Sequence, residues 1–144
     1  MNIAPTTVPV AAGGVVLDVP TELRLVTALP GLPGRTEYVL EALDDTGVLF
    51  ALRSVDGGDA AREVRLFVVS PALYFPDYRP RIDAGALGDG TDPDDVVVLV
   101  VVHPGAGEAP PTANLLAPVL VDRARGRAVQ SVLEEDWPLR APVG

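Results

Sequence analysis

The chain has 144 residues, with 20 acidic side chains against 11 basic ones and a formal charge of −9; that balance excludes the basic footprint that a nucleic-acid backbone or an anionic membrane surface requires, and it suits a basic protein partner. The absence of cysteine excludes disulfides, a thiol nucleophile and zinc–thiolate sites. With 48% hydrophobic and 22% charged residues, the chain reads as one domain over residues 1–144 that buries its own core, and no cofactor is called for.

The first 14 residues, MNIAPTTVPVAAGG, lack a basic start and are interrupted by Pro5 and Pro9. They read as a terminus loose over residues 1–12 rather than as a secretion signal, and a cytoplasmic location is expected. The 15 prolines and 14 glycines leave little room for long helices. Val15, Leu17 and Val19 alternate with their neighbours, and after Pro20 so do Leu23 and Leu25. This period of two predicts strands with one buried face. The segment TEYVLEAL, 36–43, suits a helix by propensity, yet Tyr38, Leu40 and Ala42 also alternate. Its strand-like neighbours favour a strand. Asp56 beside Gly57 and Gly58 reads as a turn, and Val64, Leu66 and Val68 mark another strand.

One helical turn is expected at Ala84–Leu87, followed by the acidic loop GDGTDPDD, 88–95. Val96–Val102 is continuously apolar and nearly all β-branched, which predicts a central strand covered on both faces. Seven residues are far too few for a membrane helix, which needs roughly 20. Leu115–Asp122, the turn Arg123–Gly126 and Arg127–Leu133 read as a hairpin, with Pro118 marking an edge or bulge in its first arm. About seven or eight short strands imply an all-β fold, a small antiparallel β-barrel or sandwich with one or two short helical turns.

Catalytic chemistry finds little purchase. His103 is the single histidine, and its position at the end of the apolar strand suits a structural role. Ser54 and the aspartates complete a triad only on paper, since no nucleophile-elbow pattern accompanies them. The glycine pairs Gly31/Gly34 and Gly88/Gly90 lack a P-loop lysine and the helix that would follow one. Asp89, Asp92, Asp94 and Asp95 resemble half of a calcium loop, but Pro93 breaks the alternation and no glutamate closes it. No catalytic residue and no metal site is therefore assigned. Asp92, Asp94 and Asp95 stand as candidates for steering a basic partner, against the plainer reading of a solvated loop. Three of the seven aromatics fall in Tyr74-Phe75-Pro76-Asp77-Tyr78. Rings on a proline-stiffened loop suit either an interface or a plug at a barrel end.

The chain resembles the flagellar assembly factor FliW family from about Leu29 to about Pro142. The resemblance rests on Leu29-Pro30-Gly31, Phe50-Ala-Leu-Arg-Ser54-Val-Asp56, Leu66-Phe-Val-Val-Ser-Pro71, Tyr74-Phe-Pro-Asp-Tyr78, Asp92-Pro-Asp-Asp95, Thr112-Ala-Asn-Leu-Leu-Ala-Pro118, Gln130-Ser-Val-Leu133 and Trp137-Pro-Leu-Arg140, in that order. It implies a small β-barrel-like protein without enzymatic activity. Such proteins bind CsrA, a small basic dimer that represses flagellin translation, and loosen its grip on messenger RNA. Flagellin then captures FliW and frees CsrA, a partner switch. Within that frame Tyr74, Phe75 and Tyr78 are candidate anchors and Asp77 is a candidate acceptor for a partner arginine. Asn114 and Pro118 are expected to shape a bend rather than to bind. Arg79 stands where many relatives place an acid, Leu32 where an aromatic is usual and Trp137 where tyrosine is common. The competing expectation is a flagellin chaperone without a CsrA limb, and the acidic surface favours a free monomer.

Overall fold

Eleven short strands and three 3-10 turns make up the described residues, 6–29, 34–55 and 64–143 of a computed structural model. Positions 30–33 of the L-P-G stretch and Asp56 lie outside them. The strands are β1 (Thr7–Ala12), β2 (Val15–Pro20), β3 (Glu22–Leu25), β4 (Glu37–Ala42), β5 (Leu49–Ser54), β6 (Arg65–Val69), β7 (Val96–His103), β8 (Thr112–Ala113), β9 (Val119–Asp122), β10 (Arg127–Gln130) and β11 (Ala141–Pro142). The ladder runs β7-β6-β5-β4-β3-β10-β9, and β9 pairs back onto β7, closing a seven-stranded barrel. β8 and β11 extend the sheet from the end of β7.

The register follows the hydrophobic alternation. In β4 Tyr38 and Leu40 are buried while Glu37 is exposed and Glu41 half-buried. Pairing with strands on both sides settles the ambiguity of this segment against a helix. Arg24 stands opposite Glu37 with a 3.3 Å ion pair, and Arg53 reaches Glu41 at 2.7 Å. The exposed Arg24–Glu37 pair contributes little, about 0–1 kcal/mol. The interior is made by Leu40, Phe50, Leu52, Val68, Leu99, Val119 and Val121, each at most 1% exposed. Full burial of one such side chain stabilises by about 1.5–3 kcal/mol.

β7 is the two-faced strand its composition predicts. Val97, Leu99 and Val101 enter the barrel interior, while Val100 joins a second cluster outside it with Val69, Tyr78, Leu115 and Leu133. A third cluster, Leu87, Leu120 and Val129, is capped by the 3-10 turn Ala84–Leu87.

Three features differ from the sequence-based expectation. Within the stretch 1–12 expected to be loose, residues 7–12 form β1 and Val10 is fully buried in the interior cluster. The arm Leu115–Asp122 is not one strand. Asn114 Oδ1 accepts the N–H groups of Leu116 and Ala117 at 3.1 and 3.0 Å, which takes that stretch out of the ladder, and pairing resumes at Val119 after Pro118. The barrel is antiparallel except at one seam, where β3 and β10 run parallel over Arg24↔Arg127 and Leu25↔Ala128.

Candidate functional site

The aromatic loop starts from the end of β6. Ser70 donates its hydroxyl to the Ala11 carbonyl and its N–H to Val48 O, tying loop, hairpin and barrel together. Pro71 opens the 3-10 turn Pro71–Leu73, where its preset φ and missing N–H cost nothing. Its carbonyl accepts from Tyr74 and Phe75 N–H at 3.1 and 2.8 Å, and Phe75 O accepts from Tyr78 N–H at 3.0 Å. The loop is therefore a wound, internally bonded structure.

Its side chains divide sharply. Tyr78 is only 9% exposed, donates its hydroxyl to Leu115 O at 2.7 Å and meets Trp137 edge to face with ring centroids 4.8 Å apart. Burial, with the Glu135 carboxylate adding to it, pushes the Tyr78 phenol well above its ordinary range. Tyr78 thus offers a partner little surface, and its side chain is spent on packing the flank. Phe75 is half-buried against the same cluster. Tyr74 is 40% exposed and Leu73 68%. Asp77 is exposed and makes no hydrogen bond or ion pair among the described residues.

The acidic turn sits elsewhere, at the start of β7. Asp92 Oδ1 accepts Asp94 N–H at 2.9 Å and so caps the turn Pro93–Asp95. Asp95 holds Arg123 through a 3.7 Å ion pair and through its carbonyl, which accepts Arg123 N–H at 3.0 Å. Of these three acids Asp94 alone is both exposed and without a side-chain partner among the described residues. The aromatic loop packs on the Val100 and Leu115 cluster, whereas Val96, next to the acidic turn, packs on that of Leu87. Among the described residues no hydrogen bond or ion pair joins the two sets of candidates.

What the structure does bring together is the set of separated motifs. Tyr78 of the aromatic loop, Leu115 beside Asn114, Leu133 and Trp137 meet in one cluster. Leu115 N–H donates to Pro138 O at 3.0 Å and Leu133 N–H to Leu116 O at 2.8 Å. Pro118 is buried and its carbonyl accepts Ser131 N–H at 2.9 Å. These residues hold the flank; Leu73, Tyr74 and Asp77 are what it displays. Leu73 escapes sequence reasoning because an apolar residue between Pro71 and an aromatic reads as core.

His103 is exposed at the end of β7, beside a cleft of about 360 Å³ lined by Leu29, Leu66 and Val101 with Asn114 and Gln130. Asn114 Oδ1 accepts backbone N–H groups, and Gln130 Nε2 donates to Ala117 O at 3.1 Å. Ser54 is buried and its hydroxyl accepts Val64 N–H at 2.8 Å. Among the described residues no three acids or histidines gather as metal ligands, and no helix is long and apolar enough to cross a membrane.

Comparison with known proteins adds the lineage. A family model described as FliW protein matches residues 10–143. The flagellar assembly factor FliW of Syntrophotalea carbinolica is 33% identical over 126 residues, spanning 85% of this chain and 86% of its own. That of Bacillus subtilis is 30% identical over 121 residues, 82% of each chain. A crystal structure of the flagellar assembly factor FliW superposes with a TM-score of 0.71 over 93% of this chain and 95% of its own, at 23% identity, and shows the same fold.

Proposed function

The chain belongs to the FliW family, and on that footing we propose that it is a non-enzymatic, cytoplasmic flagellar assembly factor. In this reading it binds CsrA, relieves CsrA's repression of flagellin messenger RNA, and is itself captured by flagellin as flagellin accumulates. The observation that carries the proposal is the family match over residues 10–143. The charge supports it independently. A chain with net charge −9 attracts a basic partner, steers its approach and repels RNA. Docked on CsrA it lowers RNA affinity electrostatically even where it leaves the RNA-binding face uncovered.

Leu73, Tyr74 and Asp77 form the contact surface in this reading, with Asp77 accepting from an arginine of the partner. Arg79, exposed two residues beyond Asp77, places a positive charge in that surface. It is the observation that favours the second reading, a flagellin-binding chaperone without the CsrA limb.

Isothermal titration of the chain against CsrA of its own organism, at low and high salt, separates the two. Binding that weakens steeply with salt is expected. Absence of CsrA binding with flagellin binding intact would leave the chaperone reading.

A further inference from the structure

The β1–β2 hairpin carries an open strand edge. Ala11 N–H donates to Gly47 O at 2.7 Å and Ala11 O accepts from Ser70, so both backbone groups of Ala11 point away from β2. In an antiparallel pair the N–H and C=O of one residue share a direction, which alternates along the strand. Ala11 stands opposite Val16 and Pro9 opposite Asp18. Val16 and Asp18 therefore point their N–H and C=O groups away from β1, at the outer edge of β2. Two further details fix this parity. Pro9, which has no N–H, occupies a position that requires none from it, and Thr21 N–H bonds Thr6 O at 2.9 Å in the alternate set.

Among the described residues no other strand pairs with β2, and no hydrogen bond reaches its outer edge. Val15 and Val16 are 55% and 67% exposed at the end of this edge. Folded proteins blunt free edges with lysines, prolines or covering segments. Here Pro20 ends the strand, and Asp18 is the one charge in VVLDVP. The hairpin is nevertheless firmly seated, since Val10 and Val19 are fully buried in the barrel interior cluster.

We infer that the outer edge of β2 docks an extended segment of a partner protein by strand addition, the segment presenting basic side chains on the face of Asp18 and apolar ones on the face of Val15 and Leu17. Backbone bonds to Val16 and Asp18 supply the register, and the side chains supply selectivity. A second copy of this chain is the poorer occupant. It would set −9 against −9 and bring two Asp18 carboxylates to neighbouring positions on one face.

The test uses the full chain and a capped peptide of about eight residues alternating arginine and valine, with two N-methylated versions of unchanged charge. The segment adds antiparallel to β2, and with arginines on the Asp18 face it is then the arginine N–H groups that bond β2. Methylating the arginine nitrogens should weaken binding at least about tenfold, while methylating the valine nitrogens leaves it within about twofold. The unmodified peptide should slow hydrogen exchange of the Val16 and Asp18 amides at least about tenfold. Asp18→Lys, at an exposed position without an ion pair among the described residues, should weaken binding by a similar factor with the fold intact. Equal binding of both methylated peptides would reduce the effect to charge attraction and overturn the proposal. So would no binding up to about 1 mM. Exchange at Val16 and Asp18 that slows with chain concentration alone would overturn it in favour of a second copy.

Discussion

Two buried tyrosines set opposite problems for a phenol inside this fold. The Tyr78 hydroxyl is bonded to Leu115 O at 2.7 Å, whereas the Tyr38 hydroxyl has no hydrogen-bond partner among the described residues. Replacing a bonded buried hydroxyl leaves its acceptor unpaired, while replacing an unbonded one removes a desolvation cost. Tyr78→Phe should therefore cost about 1–2 kcal/mol, and Tyr38→Phe should be neutral or stabilising by up to about 1 kcal/mol, both read from urea midpoints. Burial raises both phenols above the ordinary value of 10.0, at Tyr38 against the opposing pull of Arg35 and at Tyr78 with help from Glu135. The raised folded pKa means that this stability is fully present below about pH 10 and declines above it, as the unfolded chain releases protons that the folded chain retains. Tyr78→Phe should flatten that alkaline decline, measured as urea midpoints from about pH 9 to about pH 11. At the displayed positions Tyr74 and Asp77 the expectation is reversed. Tyr74→Ala and Asp77→Arg should leave the urea midpoint unchanged and weaken CsrA binding about tenfold or more, read by titration.

At the scale of the elements, the weakest closure is the parallel seam between β3 and β10. Arg24 N–H donates to Gly126 O at 2.8 Å and Val26 N–H to Ala128 O at 2.9 Å. Gly126 has φ +67°, and a Cβ there would stand 3.1 Å from Glu22 O. Gly126→Ala should destabilise by about 1–2 kcal/mol and lift exchange protection at Arg24 and Val26 before it does so in β7. This seam is where sequence reading falls short. The alternations of β2, β3 and β6, the apolar run of β7 and the hairpin of β9 and β10 are legible because each is a local signal: a period of two, an unbroken apolar run, or a polar turn between two apolar arms. The pairing of Leu25 with Ala128 has no local signal, since it joins segments about a hundred residues apart. β1 was hidden by Pro9, which reads as a breaker but costs no ladder bond where it lies. The site divides along the same line. Proline and aromatic spacing marked the loop, but the burial of Tyr78 depends on Leu115 and Trp137, which only the fold brings near.

For the whole molecule, three packed clusters leave the acids largely on the outside, and the charge of −9 acts as a field over the surface. Such a field is screened over about 8 Å at physiological ionic strength. Association with a basic partner should therefore slow sharply with added salt, while dissociation changes less, a pattern that stopped-flow mixing resolves. The most direct test of the proposed role is a gel-shift assay of CsrA bound to flagellin leader RNA. Adding the chain should release the RNA without binding it, and adding flagellin should then restore the CsrA–RNA complex. RNA that stays bound at saturating chain, or release that flagellin fails to reverse, would contradict the partner switch.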